Sequence, residues 1–336
     1  MRTIIVHILA FSLLAAFIPG CKTNDKLRIG VCMGPLHERW IKDTDYLQHY
    51  LEAKGAVAVI VKAYGDEAEQ TRQAKMLIDE EDIDVLIIIP INSETAGRIV
   101  DYAKGKGIKV IAYDRIVKNC ELDFYISFDN VRVGEIQADY LTRIKPVGNY
   151  AILGGDPRDN NSILLKLGQM NILQPLVTKG DIKIVLDQNV PNWDSVAAYE
   201  IIRDFLEQNT KLDAIIASND GLSGGACRAL QERGLERKVL LSGQDAETEA
   251  CKRIVQSHQT MTVYKVVESM AHSAANIAIS LANGEALPNS QTTIFNGKMM
   301  VPAVLLSSMI PVAKENIRMT VIADGYLDEK VVFGAQ

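Results

Sequence analysis

The stretch KVIAYDR, residues 109–115, is an apolar run that ends in an acid and a base, Asp114 and Arg115. Because its hydrophobic residues are continuous rather than alternating, it predicts a strand buried on both faces, as in a parallel sheet between layers of helices. Four other runs in the first part of the chain share this character: LRIGVCM, VAVIVKA, DVLIIIP and FYISFD. Helical segments separate the five runs, which predicts βαβ winding.

The intervening segments have the pattern of amphipathic helices. In DEAEQTRQAKMLIDEE, residues 66–81, one face carries Ala74, Leu77 and Ile78 while charges occupy the rest. A second series of strand-like runs follows: NYAILGG, IKIVLDQ, DAIIASND, KVLLSGQD and QTMTVYK. A chain of 336 residues exceeds what one core usually fills. We therefore predict an α/β protein with two doubly wound parallel sheets in two lobes.

Charge and composition exclude some classes of protein. The net charge is −6 and no basic stripe is present, so nucleic acid is not an expected partner. The five histidines have no metal-binding spacing, and Cys32, Cys120, Cys227 and Cys251 form no CxxC pair. We therefore expect no metal and no cofactor, and we interpret these cysteines as small core residues whose oxidation state the sequence leaves open.

The N-terminus has the features of an export signal. Arg2 precedes IIVHILAFSLLAAFIPGC, which is too short and too abruptly ended for a membrane span. The segment IPGC, residues 18–21, resembles the bacterial lipobox, which predicts a signal peptide over residues 1–20 and lipidation of Cys21. The alternative is a secreted chain that is cleaved nearby. In either case the expected location is extracytoplasmic, and contact with a membrane is expected through the lipid alone.

Polar residues follow the strands at the ends where ligands bind in open α/β sheets. The residues in question are Asp114, Arg115, Asp159, Asn161, Asn219, Asp245 and Lys265, with Trp40 and Trp193 in the same set of loops. An acid that only accepts and a base that only donates can together satisfy a sugar hydroxyl. An indole can cover the apolar face of the sugar ring. This composition predicts a carbohydrate site in which Asp114 and Arg115 compensate each other's charge.

Each of these residues also has a simpler structural interpretation. An acid beside a base at the end of a strand is often a salt bridge or a helix cap, and Trp193 could anchor a lobe. Asp129, Asn130 and Asp220 are placed as helix N-caps, and we expect capping to be their role. The glycine-rich segments GGDP and SGG match neither a dinucleotide fingerprint nor a P-loop, so they give little indication of a phosphate site.

Several motifs together resemble the ribose-binding-like, type I periplasmic substrate-binding family. They are ERWIKD, VIAYDR, DFYISFDN, VGE, DNN, GQM, IASND, SGQDAE and QTMTVYK, in order from about residue 27 to the tail TVIADG. The resemblance implies two Rossmann-like lobes joined by a three-crossover hinge. It implies a first lobe of residues 27–130 and 263–290, a second of residues 131–262 and 291–336, and a tether at residues 21–26.

The resemblance also implies a ligand and its contacts. The expected ligand is a monosaccharide, D-xylose or a related pentose. Arg39, Asp114 and Arg115 would bind it from the first lobe, with Trp40 as a second wall for the ring. Asp159, Asn161, Trp193, Asn219 and Asp245 would come from the other lobe, with Lys265 beside the hinge. The loops GPLHERW and QNVPNW depart from the family pattern, which leaves the identity of the sugar open.

The expected function is delivery of the bound sugar to an ABC transporter permease by a lipid-anchored protein. The alternative is a sugar-sensing subunit that regulates a membrane histidine kinase, because both roles would use the same cleft. Paired carboxylates near a sugar are also typical of glycoside hydrolases. Here Arg, Lys and Asn accompany the acids, a composition suited to holding a ligand, so we predict no catalytic residues and no enzyme activity.

Overall fold

The structure is a computed structural model that describes residues 26–35, 37–208, 211–287 and 292–334. Its strands are β1 (Arg28–Met33), β2 (Val57–Lys62), β3 (Val85–Ile89), β4 (Lys109–Tyr113), β5 (Phe124–Phe128), β6 (Gly148–Gly154), β7 (Ile182–Asn189), β8 (Ala214–Ala217), β9 (Leu240–Ser242), β10 (Thr262–Lys265), β11 (Thr292–Phe295), β12 (Met300–Leu306) and β13 (Met309–Val312). Its helices are α1 (Glu38–Ala53), α2 (Glu67–Glu80), α3 (Gly97–Gly105), α4 (Asn130–Ile144), α5 (Asn160–Lys179), α6 (Ser195–Glu207), α7 (Asp220–Glu232), α8 (Thr248–Val255), α9 (Val267–Ala282) and α10 (Glu329–Phe333).

The first lobe is built on a seven-stranded sheet in the order β11, β12, β5, β4, β3, β1, β2. All neighbouring pairs are parallel except β11 with β12. Successive residues of β3 enter different cores, since Ile87 packs on one face of the sheet and Ile88 on the other. Both faces are therefore buried, as the continuous hydrophobicity of these strands predicts.

The second lobe is built on a parallel four-stranded sheet in the order β7, β6, β8, β9. Helices α4 and α5 pack closely against each other on this lobe because both contain glycine at the contact. A Cβ atom added to Gly134 would lie 2.1 Å from the Leu165 carbonyl oxygen, and one on Gly168 would lie 1.9 Å from that of Val131. Any larger residue would force the two backbones apart.

A short antiparallel pair, β10 with β13, lies between the two lobes. Val263 packs into the core of the second lobe, whereas Tyr264, the next residue, packs into the core of the first. The chain also passes from the first lobe to the second between β5 and α4. The fold is therefore the predicted pair of doubly wound α/β lobes joined by several crossovers.

One part of the predicted domain division is wrong. We expected residues 291–336 in the second lobe, but β12 pairs with β5 and extends the larger sheet of the first lobe. Much of the remaining tail joins the core of the first lobe, through Ile317, Val321, Tyr326, Leu327 and Val332. The apolar strand β12 covers the edge of β5 that would otherwise leave its backbone groups unpaired.

The predicted signal peptide, Cys21 and nearly all of the tether lie outside the described residues. In the part of the chain that the structure describes, we find no helix with the length and apolar content needed to cross a bilayer. Cys32, Cys120, Cys227 and Cys251 are buried thiols that are not joined in disulfides. They pack in the cores, where burial raises the pKa of each thiol.

Candidate functional site

One pocket between the lobes, which we call the inner pocket, is lined by residues of both lobes. Every residue for which the sequence predicts ligand contact lines it: Arg39, Trp40, Asp114, Arg115, Asp159, Asn161, Trp193, Asn219, Asp245 and Lys265. Two further lining residues, His37 and Gln244, were not predicted. Residues more than 200 positions apart in the sequence are therefore neighbours in one cleft.

Local backbone geometry aims several of these side chains into the pocket. Asp114 directly follows β4 and has a φ of 61°, and Trp193 and Asp245 have φ values of 55° and 94°. Non-glycine residues rarely adopt positive φ, which carries a cost that the surrounding structure must offset. Three such residues lie around this one pocket, and clusters of strained residues are typical of ligand-binding sites.

Asp114, in the first lobe, accepts hydrogen bonds from side chains of both lobes. Arg39 Nη2 donates to Asp114 Oδ2 at 2.6 Å, and Asn161 Nδ2 donates to Oδ1 at 2.9 Å from the second lobe. The guanidinium of Arg39 is fixed in turn by Asp43, which also accepts from the Tyr113 hydroxyl at 2.6 Å. The expected charge compensation between Asp114 and Arg115 is only a minor part of the arrangement: Arg115 helps to lower the pKa of Asp114, but Arg39 and Lys265 act more strongly, and the ion pairs are Asp114 with Arg39 and Arg115 with Asp159.

Arg115 pairs across the cleft. Its Nε lies 2.8 Å from Asp159 Oδ2, and both side chains are buried. Asp159 also caps α5 by accepting from the backbone N–H of Asn161 at 2.9 Å. Asp159 therefore pairs with Arg115 and caps α5 at the same time, since one carboxylate has several acceptor positions.

Asp245 forms a second charged cluster, with Lys265 of the hinge strand β10 and with Arg39. Lys265 Nζ lies 2.8 Å from Asp245 Oδ1, and Arg39 Nη1 lies 3.5 Å from the same oxygen. The Tyr326 hydroxyl holds this loop from the C-terminal tail by donating to the Asp245 carbonyl at 3.1 Å. Asp245 therefore connects the first lobe, the hinge strand and the tail.

Burial and neighbouring charges act in opposite directions on the carboxyl groups. Burial alone would raise the pKa of Asp114, but the charges of Arg39 and Lys265 outweigh it and hold this pKa below its ordinary value. For Asp159, burial outweighs Arg115 and raises the pKa. The pocket thus holds an ionised Asp114 that can accept two or more hydrogen bonds.

The two tryptophans occupy different surroundings. Trp193 lies against Gly155, where an added Cβ would be 2.1 Å from the ring carbon Cη2, so only glycine permits this position of the indole. Trp40 lies under charged groups, with the guanidinium carbon of Arg39 4.4 Å and that of Arg115 5.5 Å from its ring centroid. Trp40 therefore supports the arginines as well as lining the pocket.

Three buried polar atoms of the pocket have no hydrogen-bond partner among the described residues: Asn161 Oδ1, Trp193 Nε1 and Gln244 Oε1. Leaving a buried polar group unpaired costs about 1 to 3 kcal/mol, which native structures tolerate mainly where a ligand or water supplies the partner. The three atoms comprise one donor and two acceptors, a set that hydroxyl groups can satisfy. Gln244 could have been identified in the sequence, because it precedes Asp245 in the same strand ending.

The predicted capping roles are confirmed for one residue and wrong for two. Asp129 caps α4 by accepting from the backbone N–H of Arg132. Asn130 instead donates to the Ser127 hydroxyl. Asn219, rather than Asp220, caps α7 by accepting from Leu222. The carboxylate of Asp220 is buried and accepts from the Glu247 N–H, Gln259 and Thr262, so it braces the loop that carries Asp245.

The described residues contain no group of three or more His, Cys, Asp or Glu side chains arranged to hold a metal ion. The acids of the inner pocket are each paired with arginine or lysine instead. The site is therefore suited to holding an uncharged polar molecule by charged hydrogen-bond partners.

A family model described as a periplasmic binding protein domain matches residues 29–286. The chain belongs to the periplasmic binding protein family. It is 44% identical to a D-xylose-binding periplasmic protein of Haemophilus influenzae over 95% of this chain and 96% of that protein. It is 45% identical to a D-xylose-binding periplasmic protein of Escherichia coli K12, over 90% of this chain and 92% of that protein. These matches confirm the family resemblance of the sequence motifs.

Solved structures agree with the fold. An ABC transporter solute-binding protein from Clostridium phytofermentans with bound β-D-glucose has a TM-score of 0.84 and 26% identity, covering 91% of this chain and 99% of that one. A carbohydrate transporter solute-binding protein from Chloroflexus aurantiacus in complex with D-glucose also has a TM-score of 0.84, with 28% identity, 91% coverage of this chain and 98% of that one. Members of this family are binding proteins rather than enzymes.

Proposed function

We propose that this protein binds a monosaccharide in the inner pocket, with D-xylose as the preferred ligand, and that it closes on the sugar outside the cytoplasm. The observation that carries the proposal is the inner pocket itself, to which both lobes contribute buried charged and amide groups. Relatives at 44% and 45% identity are D-xylose-binding proteins, which supports the choice of sugar.

Closure follows from the way the ligand-binding groups are divided. Arg39, Asp114 and Arg115 belong to the first lobe, whereas Asp159, Asn161 and Trp193 belong to the second. A sugar that forms hydrogen bonds with residues of both lobes binds the closed form more tightly than the open form. It therefore shifts the population towards the closed form. No covalent step is needed.

The proposed partner of the closed form is an ABC transporter permease, and the proposed anchor is a lipid on Cys21. The similarity to two transporter-associated solute-binding proteins supports delivery rather than sensing by a membrane kinase. Deletion of the gene, followed by measurement of labelled sugar uptake, tests the transport role. Metabolic labelling with a fatty-acid analogue tests the anchor, because a Cys21→Ala variant should lose the label.

A thermal-shift screen of the purified mature protein against monosaccharides tests the ligand. A ligand that binds only the folded form raises the melting temperature. We expect the largest shift with D-xylose and no shift with a charged sugar phosphate. A panel in which no pentose stabilises the protein would contradict the proposal.

A further inference from the structure

A larger cavity, which we call the outer chamber, adjoins the inner pocket at the mouth of the cleft. Its cavity volume is about 610 Å³, and it is lined by both lobes, including Tyr64 of the first lobe and Asp156 and Asn192 of the second. Three residues line both cavities: His37, Arg115 and Trp193. These three side chains therefore form the partition between the pocket and the chamber.

Two of the three partition residues are held firmly in place. Arg115 forms an ion pair with Asp159 at 2.8 Å, and its Nη1 donates to the Pro90 carbonyl at 3.4 Å. The indole of Trp193 is packed directly on Gly155. Shortening either residue would remove a proposed ligand contact together with the partition.

His37 differs from both. It occupies the N-cap position of α1, with φ −151° and ψ 160°, yet among the described residues its side chain makes no capping hydrogen bond. Burial first, and the charge of Arg115 second, lower the pKa of His37 to about 4, so its ring is neutral near pH 7. A neutral ring in contact with both cavities offers the inner pocket mainly its volume.

We infer that His37 is the residue that sets the upper size of the sugar, by closing the inner pocket towards the outer chamber. This inference rests on the proposed binding of a monosaccharide in that pocket. D-xylose and D-glucose differ by one hydroxymethyl group on C5, which is the extension that such a wall would exclude. With the ring in place, the pocket selects pentoses; without it, the extension can enter the chamber and remain hydrated there.

Calorimetric titration of the wild type and His37→Ala with D-xylose and with D-glucose tests the inference. The measured quantity is the ratio of the two dissociation constants. In the wild type we expect preference for D-xylose by about 10- to 200-fold, the range in which a binding site discriminates one extra carbon. In His37→Ala we expect the preference for D-xylose, measured as this ratio, to fall by about tenfold or more.

Two matched variants separate volume from other effects. His37→Phe keeps a ring of similar size without hydrogen-bonding atoms and should keep the wild-type ratio. Tyr64→Ala alters the exposed side of the chamber without touching the inner pocket and should also keep it. His37→Ser provides a second short side chain should His37→Ala lose its cooperative thermal transition.

The outcomes distinguish this inference from the proposed function. A wild type that binds D-xylose, with the same ratio in the wild type and in both short variants, would overturn the role of His37 and leave the proposed function intact. A wild type that binds neither sugar would overturn both. Loss of selectivity in His37→Phe would show that the wall does not act through volume, and would also overturn the inference.

Discussion

Arg115 of the first lobe and Asp159 of the second form a buried ion pair, with 2.8 Å between Nε and Oδ2, that joins the lobes directly across the cleft. Each residue is also fixed within its own lobe, Arg115 by the Pro90 carbonyl and Asp159 by the first turn of α5. The pair is therefore one of several contacts between the lobes, beside the hydrogen bond from Asn161 to Asp114 and the ion pair of Arg158 with Glu67. Under the proposed function we expect this pair to couple sugar binding to closure, because it joins the two sets of residues that line the inner pocket.

Arg115→Ala should nearly abolish sugar binding. Removal of one partner leaves Asp159 buried and unpaired, which costs about 2 to 5 kcal/mol in the closed form, or roughly 30- to 4000-fold in affinity. The open form can hydrate Asp159, so folding should be largely preserved. Calorimetry gives the affinity, and small-angle X-ray scattering should show a larger radius of gyration with sugar present than for the wild type. Unchanged affinity would refute the assigned role.

Asn161→Asp should make sugar binding depend on pH. The new carboxylate would replace an amide that now donates to Asp114 Oδ1 at 2.9 Å, so two like charges would share one site. One of the two pKa values must then rise, and binding should recover as pH falls from 8 to 5. At pH 8 we expect a loss of about 100-fold, in line with a broken charged hydrogen bond. Asn160→Asp is the control, since Asn160 does not line the pocket.

Gly155→Ala should weaken binding through Trp193. The added methyl would lie 2.1 Å from Cη2 of the indole, so the ring must leave its position over the pocket. We expect a loss of about tenfold or more, the worth of a large aromatic contact. Titration with D-xylose measures the loss, and the change in tryptophan fluorescence on binding should shrink with it. Gly105→Ala, which adds a methyl into open space, should leave both unchanged.

A partly exposed ion pair at the rim should contribute modestly to closure. Arg158 Nη1 of the second lobe lies 2.7 Å from Glu67 Oε1 of the first. Exposed pairs contribute about 0.2 to 1 kcal/mol, so Glu67→Gln should weaken binding by roughly two- to fivefold, and high salt should remove the difference. Arg72→Gln breaks an exposed pair within one helix of the first lobe and should have no such effect. An equal effect of both variants would argue against a rim contact between lobes.

Asp220→Asn should change how stability depends on pH. Burial raises the pKa of Asp220 from 3.8 to about 7, so the folded state binds the proton more tightly than the unfolded state does. Between these values the free energy of unfolding therefore falls as pH rises, and the neutral side chain removes this contribution. Relative to the wild type, the variant should gain more than about 1 kcal/mol between pH 5 and pH 8, since one pKa unit corresponds to about 1.4 kcal/mol. Urea unfolding measures the free energy of unfolding of both proteins at pH 5 and pH 8. The same difference between variant and wild type at both pH values would contradict the prediction.

The local parts of the fold could be predicted, and the long-range pairing could not. Strands β1 to β10 and the amphipathic helix α2 follow from continuous or periodic hydrophobicity within a few residues. The pairing of β12 with β5 could not be predicted in this way. The two strands are about 175 residues apart, and an apolar strand fits the edge of either sheet. Nothing in the composition of residues 300–306 distinguishes the two edges.

The site was predictable to the extent that strand ends share one edge of a sheet. This rule brings Asp114, Asp159 and Asp245 together, and the structure places all three around the inner pocket. It does not give the pairing, so Asp114 was matched with Arg115 instead of with Arg39. His37 was missed because its loop departs from the family pattern and its role depends on a cavity that only the folded chain forms.

Calorimetric titration of the purified mature protein with D-xylose, alongside Arg115→Ala, tests the central claim most directly. We predict saturable binding of one sugar per chain to the wild type, and little or no heat of binding in the variant. A wild type that gives no binding heat with D-xylose, or a variant that binds it as tightly as the wild type does, would contradict the account.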